Sequence, residues 1–88
     1  MGSEIQKENE MKKTRRDYLK KEYDQEISKA NRNVTISNQP GKSSPRWQAA
    51  IRNLNSALEI AIVLGWKKKP SEIQERIEEV EVYQELDL

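Results

Sequence analysis

The sequence has no cysteine and no histidine. Disulfides and thiolate nucleophiles are therefore excluded, together with zinc sites of the usual kind and any catalysis that needs imidazole. Long hydrophobic runs are missing as well. The longest, Ile60-Ala61-Ile62-Val63-Leu64, is five residues, far below the roughly 18–20 needed to cross a bilayer. The first residues are polar and form no apolar h-region, so no signal peptide is expected. They approach a myristoylation start, but Gln6 stands where that motif needs Ser or Thr. The sequon Asn33-Val34-Thr35 has little meaning without a secretory signal. The expected setting is cytoplasmic, with no membrane association.

Strong apolar residues are few. Ile, Leu, Val, Met, Trp and Tyr supply 25 of the 88 side chains, nine before residue 45 and sixteen after it. A core is therefore expected mainly in the second half. Charge is abundant, at 35% of residues, and its net of +1 hides a partition. Residues 31–69 carry Arg32, Lys42, Arg46, Arg52, Lys67, Lys68 and Lys69 against Glu59, a net of +6. Residues 70–88 carry Arg76 against six glutamates and Asp87, a net of −6. The matching totals suggest mutual neutralisation, within the chain or across a dimer.

The pattern along the chain is mainly α: a long charged N-terminal helix, a linker, then a helical hairpin. Residues 1–30 form a charged segment whose helix covers about 4–29, free of Gly and Pro and rich in Lys, Glu, Arg and Gln. Glu8–Lys12, Lys13–Asp17, Asp17–Lys21 and Lys20–Asp24 recur at helical spacing. Its apolar stripe is thin. As a straight rod of 26 residues it would span about 39 Å, against roughly 30 Å for a compact domain of this size. It must bend, stay partly disordered alone, or pack along a second chain.

Residues 31–44 read as a linker, with Val34-Thr35-Ile36 as a β-branched island suited to a short edge strand. From Pro45 to Leu64, Trp47, Ile51, Leu54, Leu58 and Ala61/Ile62 recur at steps of three or four. Ser44 suits the N-cap, Pro45 the first turn and Gly65 the C′ position. Lys67, Lys68 and Lys69 then stand at the negative end of that helix's dipole. Ser71-Glu72-Ile73-Gln74 reads as a capping box opening a third segment with Ile73, Ile77 and Val80 in helical register. Beyond Val80 the apolar pattern alternates, so helix to about residue 84 competes with a short strand over 80–88. Residues 45–88 thus form the hairpin core, ending in an acidic segment.

Catalytic signals are weak. Gly41-Lys42-Ser43 imitates the end of a P-loop, but Ile36 stands where the phosphate cradle needs Gly. Glu72, Glu75, Glu78 and Glu79 lie within two turns, yet nothing buries or couples them as acid–base work requires. No enzyme activity, cofactor or metal is expected. The leading expectation is a protein–protein interaction module that acts as an adaptor, an inhibitor or a regulator of a larger partner, or by homodimerising. Its docking residues are Trp66, Ile60, Val63 and Leu64, with Tyr83 on the third segment; Trp47 is assigned to the core. The alternative is nucleic-acid binding. Lys12, Lys13, Arg16 and Lys20 fall within about 100° on a helical wheel, a stripe that could follow phosphates with help from Arg46, Lys67, Lys68 and Lys69. A third reading is a helical scaffold or assembly component.

Overall fold

The computed structural model describes residues 2–39 and 46–86, with side chains from residue 14 onward. Three helices account for nearly all of it: α1 (Gly2–Ser37), α2 (Trp47–Leu64) and α3 (Lys69–Leu86). The fold is mainly α. α2 packs against α1 on one side and α3 on the other, while α1 and α3 barely meet. Both pairings are antiparallel. Residues near the end of α1 lie beside the start of α2 (Asn33 bonds Asn53), and Arg16 reaches Leu64 at the end of α2. Across the second pairing Gln84 bonds Gln48, and Trp47 stacks on Tyr83.

The core is one cluster centred on α2. Ala50, Ala57 and Ala61 are fully buried and let the neighbouring helices approach closely. Trp47, Ile51, Leu54 and Leu64 complete that face. α3 contributes Ile73, Ile77 and Val80. α1 contributes Tyr23, Ala30 and Val34, with Ile27 packed at the margin. Among the described residues the core therefore lies mainly in the second half of the chain, with ten of its thirteen buried apolar residues there and three on α1.

Several boundaries differ from the sequence reading. The segment 31–37 is helix, not linker, and Val34-Thr35-Ile36 forms no strand. Asn, Thr and Ser are poor helix formers because their side chains compete for backbone groups. Here they bond within the helix instead: Thr35 Oγ1 donates to Asn31 O at 2.9 Å and Ser37 Oγ to Asn33 O at 2.8 Å. Burial of Val34 and the Asn33–Asn53 bond (2.9 Å) supply the tertiary support. Helix α2 begins at Trp47 with Arg46 in the N-cap position and no side-chain cap. Ser44, Pro45 and the Gly41-Lys42-Ser43 turn lie outside the described residues.

At its other end Gly65 has φ 76°, the left-handed conformation expected of a C′ glycine. The Trp66 amide donates to Ala61 O at 3.1 Å and the Gly65 amide to Ile62 O at 3.0 Å, the pair of bonds that defines a Schellman ending. Helix α3 starts before the expected capping box: the Glu72 amide already donates to Lys68 O, so Ser71 lies within the first turn. The helix continues through Leu86, so residues 80–86 are not a strand; 87 and 88 lie outside the described residues.

Among the described residues the charge partition is not neutralised by ion pairs between elements. Among the described residues the ion pairs are Lys29–Glu26, Lys69–Glu72 and Arg76–Glu79, each three residues apart. Asp17–Lys21 and Lys20–Asp24 form no ion pair; Glu8–Lys12 and the Lys13 side chain lie outside the described side chains. No described helix is long and apolar enough to cross a membrane.

Candidate functional site

Two surfaces of α2 are candidates, one at each end. The C-terminal one is the apolar last turn. Within it Ala61 and Leu64 enter the core and Ile60 packs against its margin. Ile62 and Val63 face solvent, at 60% and 70% exposure. This turn, apolar all round, is therefore left uncovered at two of its five residues. Trp66 is not a free surface. Its ring meets Tyr23 edge-on, with centroids 4.9 Å apart, and packs against the core. Tyr83 is likewise half-buried: it stacks on Trp47 at 5.6 Å and donates its hydroxyl to Glu79 at 2.6 Å. Of the five residues expected to dock a partner, Val63 alone is well exposed; Leu64 is core.

Of the expected basic stripe of α1, Arg16 and Lys20 have described side chains, and both are exposed on the helix. Arg16 Nη2 donates to Leu64 O at 3.3 Å, so it serves a carbonyl at the end of α2. Lys20 is exposed, and the side chains of Lys12 and Lys13 lie outside the described set. Arg46 and the Lys67–Lys69 cluster flank opposite ends of α2, separated by its 18 residues, about 27 Å.

At the N-terminal end of α2 the structure brings together cations that sequence reasoning left scattered. Lys29 and Arg32 from α1 meet Arg46 and Arg52 around an open groove of about 330 Å³. Asn33, Asn53 and Ala49 complete its lining. An amide relay fixes one wall: Asn33 Nδ2 donates to Asn53 Oδ1, and Asn53 Nδ2 donates to Glu26 Oε2, both at 2.9 Å. Glu26 also pairs with Lys29 at 3.6 Å. Arg32, Arg46 and Arg52 make no ion pair with any described residue. Among the described residues, the first turn of α2 holds no acidic residue, and Arg46 at its N-cap makes no side-chain cap bond.

Sequence reasoning found Arg46 but missed Lys29, Arg32, Arg52 and the two asparagines as one site. A signal was present. After Gly2 no Gly or Pro occurs before Pro40, so nothing in the backbone chemistry required α1 to stop near residue 30. With α1 continued to Ser37, Lys29 and Arg32 sit one turn apart on a helix.

Among the described residues no group of three or more Asp or Glu is placed to hold a metal ion. Two tyrosine hydroxyls have raised pKa values. Tyr83 is held above its ordinary 10.0 chiefly by its hydrogen bond to the Glu79 carboxylate, with desolvation adding to it and Arg76 opposing it. Tyr18 is raised chiefly by its bond to Glu22, at 3.1 Å. Each shift comes chiefly from a pairing with a glutamate one helical turn away.

No family model, curated protein or solved structure matches the chain.

Proposed function

We propose that the protein is a small non-enzymatic helical module that occupies a surface on a larger protein partner, as an adaptor, inhibitor or regulator. The observation that carries this reading is the exposed pair Ile62 and Val63 on the last turn of α2. A chain this poor in strong apolars gains from burying each one. Leaving two aliphatic neighbours in water is a cost that contact with a partner would remove. The cysteine-free composition suits an intracellular setting.

The test compares the wild-type chain with an Ile62→Asp/Val63→Asp variant. Both positions are exposed, so the variant should melt within about 0.5 kcal/mol per site of the wild type. Each is used to capture proteins from nuclease-treated lysate of the native host, with quantitative mass spectrometry as readout. The reading expects one dominant protein on the wild type that the variant loses at least about tenfold, which corresponds to 1.4 kcal/mol. Equal capture by both would remove this surface from the proposal. A parallel capture from untreated lysate, with partners that appear only there, would shift the weight to nucleic acid.

A further inference from the structure

We infer that the groove between α1 and α2 is a binding site for the phosphate backbone of a nucleic acid strand. This inference is independent of the protein-docking turn, which lies at the opposite end of α2.

The lining decides the chemistry. Four cations contributed by two helices converge on one groove, and three of them are arginines with no carboxylate partner among the described residues. Placing like charges side by side without counter-ions is unfavourable, and a polyanion relieves it. The planar guanidinium presents a fork of donors that matches phosphate oxygens. Of the nearby carboxylates, Glu26 is already engaged by Lys29 and by the Asn53 amide, and Asp24, which lines the adjoining groove with Lys29 and Arg32, forms no ion pair with either among the described residues.

The groove also says what it would not recognise. Ala49 is its one apolar residue. A peptide partner needs pockets for aromatic or aliphatic anchors, and none is present. The two asparagines are tied into the relay with Glu26, which leaves the cations as the recognising groups. Recognition here would rest on charge and backbone geometry, hence without regard to sequence.

The experiment is fluorescence anisotropy of labelled single-stranded and duplex oligonucleotides with the whole chain, from about 50 to about 200 mM salt. Three or four phosphate contacts on a single strand predict a slope of log affinity against log salt of about −2 to −3. An Arg32→Ala/Arg52→Ala variant should flatten that slope by about 1.4, at about 0.7 per lost contact, and weaken binding at least about tenfold at the lowest salt. Both residues are exposed, and a circular dichroism melt matching the wild type would confirm that the variant folds. A Lys67→Gln/Lys68→Gln/Lys69→Gln variant, altered at the far end of α2, should bind as the wild type does. Four results would overturn the inference. The first is no binding at the lowest salt. The second is binding that the lysine variant loses and the arginine variant keeps. The third is poly-glutamate of equal charge binding as tightly as the oligonucleotide. The fourth is salt-sensitive self-association of the protein alone, abolished by Arg32→Ala/Arg52→Ala, with no oligonucleotide binding. That last outcome would assign the groove to the glutamate-rich α3 of a second copy.

Discussion

Trp66 changes role between sequence and structure. Following Gly65 and beside three lysines, it reads equally well as core edge or partner contact. The Schellman ending decides between them, because it turns the chain so that the indole lands edge-on against Tyr23. Trp66→Ala should therefore act on stability. Full burial of a Trp is worth about 3–5 kcal/mol on truncation; for this half-buried ring we expect about 2, read as a lower urea midpoint at unchanged m. A loss of partner binding with no loss of stability would contradict this. The Tyr83–Glu79 bond gives a second expectation. A hydroxyl whose folded pKa lies above its unfolded value stabilises the fold fully below pH 10.0 and loses that contribution as pH rises through the folded value. Ultraviolet titration should thus show two phenols, Tyr83 and Tyr18, ionising later than ordinary tyrosine. Glu79→Gln should bring Tyr83 down, since removal of the carboxylate charge weakens the bond that holds the proton. Tyr18 titrates late for a like reason, through Glu22, and is unaffected by Glu79→Gln.

The helices differ in how plainly the sequence announces them. α2 is legible because three signals agree: the apolar steps from Trp47 to Ala61, the glycine that ends it, and the absence of breakers between. Its start is less legible, since the first hydrogen bond depends on Arg46 and on Ser37 Oγ, which accepts the Arg46 amide at 2.6 Å from nine residues away. The last turns of α1 are illegible for a related reason. Local propensity disfavours helix at Asn31, Asn33, Thr35 and Ser37, and only contacts with α2 overcome it. The site is hidden with them, because half of its cations stand on the end of α1. α3 past Val80 is ambiguous because Val82 and Leu86 are apolar residues that the helix leaves exposed, at 51% and 79%. A clear test at this scale is Gly65→Ala. A Cβ there meets nothing within 4 Å, so the penalty comes from the left-handed backbone alone. We expect about 1–2 kcal/mol of destabilisation by chemical denaturation. A value near zero would mean that the turn relaxes to another conformation.

The whole molecule is elongated, 63 × 23 × 13 Å with a radius of gyration of 17.0 Å, against about 12 Å for a compact chain of this length. The length expected to overshoot a globule does so, because α1 has twice the residues of either neighbour. Small-angle scattering of dilute protein should return a radius near 17.0 Å; a value close to the compact figure would mean that α1 does not persist as one straight element. The arrangement has a further consequence. Since α1 and α3 each lean on α2 and hardly on each other, the molecule behaves as a short row of nearest-neighbour interfaces in which the middle member is shared. Amide exchange should then be slowest in α2, and α3 should open and close without disturbing α1. Information about what sits on one flank reaches the other only by loosening or tightening that middle rod. An anion seated at the start of α2 and a protein docked at its end would therefore sense each other along 18 residues of helix rather than through direct contact.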